Sequence, residues 1–357
     1  MAEVVLATWD GGGNVPPLLN VGVELQRRGH GVRVVGHPAQ AGAVAAAGLP
    51  FTAYRRARPF APLERHSPAA YVRLFGDRGK GQDVREVVAA QGADLVVVDC
   101  LLPGVMHELA GAGVPYVALE HFFDAYLTSF LRGPIGLGLR VVGLRPERLL
   151  AGARARLVVS SPDLDPAAGT PGRVWTGPAV DGVPGASYDG RVLVSLSTFG
   201  FAGQTETLQR VLDALGELGV PGLVTTGPAT DPGELRVPDS VEVHRWLPHG
   251  EVLGQVGLVV GHGGHATTMA ALAHDVPVLV LPLHPMLDQP MVGTAVQRSG
   301  AGRRMGRRSS ASRLAPVVEE LLGDGPHRAA AARLGARIRD QRGTATAADL
   351  VEQAAGT

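Results

Sequence analysis

The stretch "VVGHGGHATTMAALAHDVPVLVLPLHPMLDQPM", residues 259–291, decides the fold. It runs from one apolar segment through a glycine-rich turn and a short Ala- and Leu-rich segment into a second apolar segment. Two apolar strands joined by a helix form the βαβ unit of a parallel sheet whose faces are both covered. In such sheets, ligands bind beyond the carboxyl ends of the strands. The His-Gly-Gly-His turn at 262–265 is therefore expected to belong to a binding site.

The same alternation of apolar runs and helical patterns extends over the whole chain and predicts two doubly wound, Rossmann-like α/β domains that face each other across an interdomain cleft. A Pro- and Gly-rich stretch interrupts it, so the domains are expected to join near residues 170–190. We assign 1–180 to the first domain and 181–357 to the second, whose last helix is a candidate for packing back on the first. Predicted helices cover 18–28, 81–91 and 311–342, and predicted strands cover 3–9, 31–37, 93–100, 114–120, 156–161, 191–198, 222–227, 241–247, 258–264 and 277–283.

The composition favours small-molecule partners. Lys+Arg and Asp+Glu both number 33, so the chain lacks the basic excess that is typical of nucleic-acid-binding proteins. The single cysteine, Cys100, has apolar neighbours that indicate a buried thiol, and one cysteine excludes both an internal disulfide and a cysteine-based zinc cluster. The N-terminus does not resemble a signal peptide, and no apolar run is as long as a membrane span. We therefore expect a cytoplasmic protein.

The turn after the strand at 258–261 has the residue types that a phosphate site needs. Gly263 and Gly264 allow a tight turn and a close approach of the backbone to a ligand. The helix that follows presents unpaired N–H groups and a positive dipole end, to which Thr267 and His262 can add donors. On its own, however, a Gly-Gly turn is also an ordinary way to leave a strand.

Three segments together with this turn resemble family 1 glycosyltransferases of the GT-B fold, in particular the natural-product glycosyltransferases of actinobacteria. They are "VSLST" at 194–198, "VHRWLPHGEVL" at 243–253 and "LPLHPMLDQPMVGTAVQRSGAG" at 281–302. The resemblance implies an inverting, metal-independent, hexosyltransferase-type enzyme of antibiotic biosynthesis. Such an enzyme moves a sugar from a UDP- or TDP-sugar to a small hydrophobic acceptor, aromatic or polyketide-like. Apart from the nucleotide sugar as co-substrate, it needs no cofactor.

The resemblance also implies roles for individual residues on the donor side. Trp246 stacks on the nucleobase, and the backbone of Leu247 reads the edge of the base. Ser197 and Thr198 contact a phosphate or the ribose, and the carboxylate and amide of "DQ" bind the sugar hydroxyls. Two positions depart from the family pattern, because Ala270 replaces an acidic residue and Val292 replaces an asparagine. The full set of expected donor-site residues is Ser197, Thr198, Trp246, Leu247, His262, Gly263, Gly264, Thr267, Asp288 and Gln289.

The catalytic base is missing from its expected place. In the family, a histidine or aspartate follows the first strand, three residues before a proline, and here Asn14 holds that position. An asparagine does not accept a proton at ordinary pH. Asp10 in the same loop could replace it, or Asp99 could act directly or through His121. Alternatively, Asp99 only caps the following turn.

Two alternatives to this function stay open. The first is a catalytically impaired nucleotide-sugar-binding auxiliary protein, because Asn14 cannot serve as a base. The second is a GT-B nucleotide-sugar epimerase. The segments 54–81 and 122–144, with Phe122, Tyr126 and Phe130, are expected to line an apolar acceptor pocket or simply to pack a helix. Whether the chain forms a homodimer is also open.

Overall fold

The computed structural model describes residues 1–61, 63–64, 66–185 and 188–356. The chain divides into two compact units. The first contains Met1–Ala61, Arg65–Ala179 and Gln341–Thr357, and the second contains Pro62–Glu64 and Val180–Asp340. Residues 341–357, at the end of the domain predicted for 181–357, cluster with the first unit.

The first unit is built on a parallel sheet of seven strands in the order β3-β2-β1-β4-β5-β6-β7. Its central strands are continuous apolar runs that are buried on both faces, as the residue pattern predicts. The chain moves outward from β1 on one side and continues from β4 on the other, so the switch point of the sheet lies between β1 and β4. The strands are β1 Glu3–Ala7, β2 Gly31–Gly36, β3 Phe51–Ala53, β4 Leu95–Asp99, β5 Tyr116–Glu120, β6 Arg156–Val158 and β7 Val174–Trp175.

Nine helices are found in the described part of this unit. The last of them buries Ala347, Ala348 and Val351 in the same apolar core as the central strands. Arg28, at the end of the first helix, forms ion pairs with Asp349 (2.5 Å) and Glu352 (2.9 Å) of the last one. The helices are α1 Val15–Arg27, α2 Ala41–Ala46, α3 Pro68–Phe75, α4 Arg78–Gln91, α5 Pro103–Gly111, α6 Asp124–Arg132, α7 Pro134–Val141, α8 Pro146–Ala151 and, after the second unit, α15 Gly343–Ala355.

The second unit has a parallel sheet of six strands in the order β10-β9-β8-β11-β12-β13. Its switch point lies between β8 and β11. The strands are β8 Val192–Ser195, β9 Gly222–Thr225, β10 Val241–His244, β11 Leu258–Gly261, β12 Val278–Val280 and β13 Gly302–Arg304. The helices are α9 Gln204–Leu218, α10 His249–Val252, α11 His265–Ala273, α12 Gln289–Ser299, α13 Ala311–Leu322 and α14 Pro326–Asp340.

The predicted strands are all present, although most are shorter than their apolar runs, because the last residues of a run turn away from the ladder. Three short strands, β3, β7 and β13, escaped prediction, and β7 lies inside the Pro- and Gly-rich stretch. The first helix starts at Val15 rather than at residue 18, since prolines are tolerated in the first turn of a helix. The helix predicted over 311–342 is two helices, because "GDG" at 323–325 interrupts it.

Within the described residues, every helix falls short of the length and apolar character needed to cross a bilayer.

Candidate functional site

Predicted site residues gather at the carboxyl edge of each sheet, next to its switch point. In the second unit, His262 follows β11 and Ser197 follows the neighbouring β8. In the first unit, Asn14 lies beyond β1 and Asp99 ends the neighbouring β4. Each group is described within its own unit.

The turn after β11 requires both of its glycines. Gly263 has φ +88°, and a Cβ there would lie 2.8 Å from Val280 Cγ1 and 2.9 Å from the carbonyl oxygen of Gln289. At Gly264, a Cβ would lie 2.8 Å from Nε2 of His262. Contacts this short do not occur in relaxed structures, so the imidazole ring of His262 occupies space that only a glycine leaves open.

His262 is a neutral donor at physiological pH. Burial lowers the pKa of its imidazole to about 4, and a hydrogen bond with the backbone of Leu196 opposes that shift. A neutral imidazole has one N–H and one acceptor nitrogen. The ring therefore links the β8 and β11 loops without adding a positive charge.

Helix α11 begins directly after this turn. Its N-cap, Gly264, supplies no side-chain hydrogen bond to the first turn. The first N–H groups of a helix have no partner within the helix. Thr267 is partly exposed in this first turn, and Thr268 is buried. The turn and the helix start together form a concentrated set of backbone donors.

The loop after β8 holds Ser197 in a fixed position. Ser197 is buried, its Oγ accepts a hydrogen bond from the backbone N–H of Phe199 (3.0 Å), and its carbonyl oxygen accepts one from Gln204 Nε2 (2.8 Å). The hydroxyl proton of Ser197 remains available as a donor. Thr198, the next residue, is exposed.

The loop after β12 is organised by Gln289. This side chain is buried, and its Oε1 accepts hydrogen bonds from the backbone N–H groups of Leu283 (2.8 Å) and His284 (2.9 Å). Its carbonyl oxygen is therefore committed to the loop, and the NH₂ group is the part that can serve a ligand. Asp288 precedes it at the N-cap of α12, is partly exposed and makes no capping hydrogen bond.

Arg307 joins the two loops, a role that the sequence did not suggest. Its NH1 donates to the carbonyl oxygen of Leu283 (2.8 Å) in the β12 loop and to that of Ala202 in the β8 loop. Its own carbonyl oxygen accepts a hydrogen bond from Arg210 NH1 (3.0 Å) on α9. The sequence contains many arginines, and no local pattern distinguishes this one.

Trp246 lies beyond β10 with 72% of its surface exposed. It is therefore not a core aromatic, which was the alternative interpretation from sequence. Leu247 is partly buried. Val292, one of the two departures from the family pattern, is fully buried in α12 and packs as a core residue.

In the first unit, Asp99 connects two other predicted residues. Its Oδ2 accepts a hydrogen bond from Asn14 Nδ2 (2.8 Å) and lies 3.3 Å from His121 Nδ1. Its Oδ1 accepts one from the backbone N–H of Leu101 (2.9 Å). Asp99 thus caps the turn with one oxygen and holds Asn14 and His121 with the other. All three side chains are buried.

Asn14 is oriented by several acceptors. Its Nδ2 also donates to the carbonyl oxygen of Trp9 (3.0 Å) and lies 3.3 Å from Thr8 Oγ1. Its Oδ1 is buried and has no hydrogen-bond partner in the structure. The amide hydrogens therefore face Asp99, and Asn14 acts as a donor to that carboxylate.

Asp10 lies apart from this group. Its backbone N–H donates to His37 Nδ1 (3.2 Å), and burial raises the pKa of its carboxyl group. Within the described residues, no hydrogen bond or ion pair joins the Asp10 carboxylate to Asn14, Asp99 or His121.

Asp99, Cys100 and His121 could in principle hold a metal ion. One potential ligand atom of each lies within 4.8 Å of the others, and all three residues are buried. Cys100 Sγ is 4.0 Å from His121 Nδ1. Burial, together with the negative charge of Asp99, holds the pKa of the Cys100 thiol well above its usual value, so the sulfur is protonated.

Aromatic rings form a connected series from His121 to Trp9. His121 contacts Phe122 (ring centroids 4.3 Å apart), which contacts Tyr126 (5.2 Å), and Tyr126 contacts Phe130 (5.8 Å). Phe75 then joins Phe130 to Trp9, with centroids 6.2 Å and 5.2 Å apart. Two residues of the 54–81 segment, at 62 and 65, lie outside the described residues.

A chain with two doubly wound parallel sheets, each with predicted site residues at its carboxyl edge, has the architecture of the GT-B glycosyltransferases. Solved structures agree: CalG4, the calicheamicin glycosyltransferase, superposes with a TM-score of 0.81 at 23% identity, over 100% of this chain and 98% of that one. A likeness at this identity establishes the fold, and the predicted fold class is confirmed.

Sequence comparisons extend the resemblance. Residues 209–352 match the family model described as "Erythromycin biosynthesis protein CIII-like, C-terminal domain". 4'-demethylrebeccamycin synthase of Lentzea aerocolonigenes is 26% identical over 98% of this chain and 99% of its own length. Zeaxanthin glucosyltransferase of Pseudescherichia vulneris is 36% identical over 32% of this chain. The first curated relatives are matched over only 27–37% of their own length. The predicted resemblance to natural-product glycosyltransferases is confirmed.

Proposed function

We propose that this protein is an inverting glycosyltransferase that moves a sugar from a UDP- or TDP-sugar to a small hydrophobic acceptor with aromatic or polyketide-like character. The observation that carries the proposal is the turn after β11, where Gly263 and Gly264 leave no room for a Cβ and the start of α11 follows immediately. The names of the relatives support the same class of reaction.

The diphosphate is assigned to this turn. Backbone N–H groups at a helix start attract an anion. The imidazole nitrogen of His262 that does not bond with Leu196 adds a donor when the ring is protonated beside the diphosphate. Ser197, whose hydroxyl is a free donor on the adjacent β8 loop, is assigned to the same group. Donors that are fixed before the reaction stabilise the negative charge that accumulates on the leaving diphosphate. No metal ion is required by this arrangement, so we propose metal-independent transfer.

The nucleobase is assigned to Trp246. A tryptophan with 72% of its surface exposed offers a flat apolar face to a base. β10 and β11 are three strand positions apart in the sheet, a separation of roughly 14 Å. An extended nucleoside diphosphate covers a separation of this order between its base and its terminal phosphate.

The sugar is assigned to Asp288 and Gln289. An aspartate next to an amide NH₂ group offers an acceptor and a donor, a combination that suits a pair of neighbouring hydroxyls. Because Gln289 Oε1 is committed to Leu283 and His284, the amide hydrogens are the part assigned to the sugar.

The acceptor is assigned to the aromatic series between His121 and Trp9. All of these rings except the partly exposed Phe130 are buried, and their edge-to-face and tilted contacts form an apolar wall that favours a flat hydrophobic molecule. The second candidate function is a nucleotide-sugar-binding auxiliary protein, and the observation that favours it is the amide of Asn14 in place of a base.

The proposal is tested by measuring nucleoside diphosphate release from UDP- and TDP-sugars with a panel of phenols and polyketide aglycones. We expect glycoside formation with inverted anomeric configuration, read by NMR, at a rate that does not change with EDTA. Donor binding is measured in parallel by calorimetry. Tight donor binding without turnover for any acceptor would favour the auxiliary protein instead.

A matched pair of glycine substitutions tests whether the turn after β11 binds the diphosphate. Gly264→Ala should weaken donor binding at least tenfold, because the added methyl group displaces His262 from its position. Gly323→Ala is the control, since a Cβ there makes only ordinary contacts of 3.6 Å. Equal donor affinity for the two variants would reject the assignment of the diphosphate to this turn.

A further inference from the structure

We propose that His121, oriented by Asp99, is the general base that deprotonates the acceptor. The proposal rests on the proposed glycosyl transfer and identifies the group that the Asn14 position lacks. The base thus comes from the loop after β5 instead of the loop after β1.

The carboxylate of Asp99 orients the imidazole ring of His121. Nδ1 of His121 lies 3.3 Å from Asp99 Oδ2, and an N–H at Nδ1 is favoured when it faces a carboxylate. This tautomer leaves Nε2 as the basic nitrogen. Nε2 has no hydrogen-bond partner among the described residues, whereas Asp99 has partners on both oxygens. An aspartate behind Nδ1 and a free Nε2 form the arrangement that catalytic dyads use.

Asn14, Asp99 and Asp10 are less suited to act as the base. Asn14 points its amide hydrogens at Asp99, so it has no basic atom in this group. Asp99 is 1% exposed and already accepts a hydrogen bond on each oxygen, so it cannot reach an acceptor hydroxyl itself. Within the described residues, the Asp10 carboxylate makes no hydrogen bond or ion pair with this group.

The imidazole ring of His121 lies at one end of the aromatic series. The centroid of the Phe122 ring lies 4.3 Å from that of His121, so the imidazole lies next to the rings assigned to the acceptor. Besides Asp99, the charged and titratable groups in this region are Cys100, Tyr54, Lys80 and the buried Glu120, which pairs with Arg156. The thiol of Cys100 is protonated, and burial raises the pKa of the Tyr54 phenol well above 10.0. Lys80 is buried on α4 and donates to the carbonyl oxygen of Leu74 (2.7 Å).

In the proposed transfer step, loss of the acceptor proton, bond formation and departure of the diphosphate are coupled. Nε2 of His121 takes the proton of the acceptor hydroxyl while the acceptor oxygen forms a bond to the anomeric carbon. The bond between that carbon and the diphosphate oxygen breaks, and its electron pair leaves with the diphosphate. The resulting imidazolium is stabilised by the Asp99 carboxylate and returns its proton to solvent.

A metal at Asp99, Cys100 and His121 is the competing explanation, and the geometry disfavours it. Tetrahedral zinc, with Zn–N of ~2.0 Å and Zn–S of ~2.3 Å, holds nitrogen and sulfur roughly 3.5 Å apart. Here Cys100 Sγ and His121 Nδ1 are 4.0 Å apart. Moreover, Asp99 Oδ2 already accepts an N–H of Asn14.

The test compares His121→Asn with the control His107→Asn, a histidine of α5 with no predicted role in the site. We expect kcat for a phenol of ordinary acidity to fall at least 100-fold in His121→Asn, with donor affinity unchanged. His107→Asn should keep the wild-type rate. The loss of kcat should be smallest for a nitrophenol, whose hydroxyl ionises without help. In wild type we expect kcat to rise with pH, and this rise should disappear in His121→Asn.

Where His121→Asn does not fold, His121→Gln takes its place in the same comparisons. A second variant tests the dyad by gain of function. Asn14→His combined with His121→Asn moves the imidazole to the other neighbour of Asp99 and should recover at least tenfold in rate over His121→Asn. Wild-type turnover in His121→Asn would overturn the proposal and leave the glycosyltransferase intact. A loss of wild-type turnover after exhaustive removal of metal would overturn it in favour of a metal site. An absence of turnover in wild type itself would reject the proposed function.

Discussion

Asn14 Nδ2 donates to Oδ2 of Asp99 at 2.8 Å, and both side chains are buried. A buried carboxylate is costly unless donors surround it, so this amide stabilises the charged form of Asp99. The residue that cannot act as a base still supports the carboxylate that orients His121. In the mechanism proposed above, Asn14 is therefore a positioning residue.

The first prediction follows from this contact. Asn14→Ala should lower the free energy of unfolding by about 1.5–3 kcal/mol, since it removes a hydrogen bond to a buried charge. Asn20→Ala is the comparison, because Asn20 donates only to the neutral carbonyl oxygen of Ala179 (2.8 Å). The measurement is denaturant unfolding at neutral pH. If Asn14→Ala lowers the free energy of unfolding no more than Asn20→Ala does, the charged form of Asp99 does not depend on the amide of Asn14.

The second prediction concerns Trp246. Trp246→Ala should weaken binding of UDP or TDP by about 1–3 kcal/mol if the indole stacks on the base. Because the side chain is 72% exposed, the melting temperature should stay within a degree or two of wild type. Trp246→Phe keeps a flat ring and should recover most of the affinity. If calorimetry gives the same affinity for Trp246→Ala and wild type, the base binds elsewhere.

The third prediction concerns pH. Burial lowers the pKa of His262 to about 4 in the free protein, and a bound diphosphate favours the protonated ring, so the pKa rises on binding. Binding then takes up a proton. Affinity should increase as pH falls through the pKa of the complex towards about 4, the pKa of His262 in the free protein. His262→Gln keeps an N–H donor but does not titrate. In this variant, the only remaining pH dependence of the affinity comes from protonation of the diphosphate itself. Identical pH slopes for both proteins, measured by calorimetry, would show that His262 does not sense the anion.

The arrangement of the sheets was predictable because it depends on simple patterns. Continuous apolar runs that alternate with helical patterns require a parallel sheet, and strands of such a sheet end at one edge. The turn at His262 and the loop after β8 therefore had to lie at the same edge, and the strand order of the structure makes them neighbours. The short strands β3 and β13 were missed because three residues carry too little periodicity to be separated from a loop.

The contacts within each group were less predictable than its place. The sequence left open whether Asp10, Asp99 itself or Asp99 acting through His121 replaces the missing base. The contact of 3.3 Å between His121 Nδ1 and Asp99 Oδ2 bears on this choice, and spacing in the sequence does not determine it. Similarly, the sequence suggests that Gln289 binds a sugar, yet half of its amide is used to shape its own loop. Side-chain direction at a strand end is set by packing, which no single segment encodes.

The fourth prediction concerns Arg307, which no sequence pattern indicated. Its NH1 joins the β8 and β12 loops through the carbonyl oxygens of Ala202 and Leu283, so it fixes Ser197 and Asp288 relative to each other without contacting a ligand. Arg307→Ala should weaken binding of the nucleotide sugar by roughly 5- to 20-fold, as one or two hydrogen bonds to a charged donor are lost. Binding of free UDP should weaken less, because Asp288 is assigned to the sugar. Calorimetry with both ligands separates the two effects. If affinity for the two ligands falls equally, Arg307 supports only the diphosphate side, and if neither changes, the loops hold their positions without it.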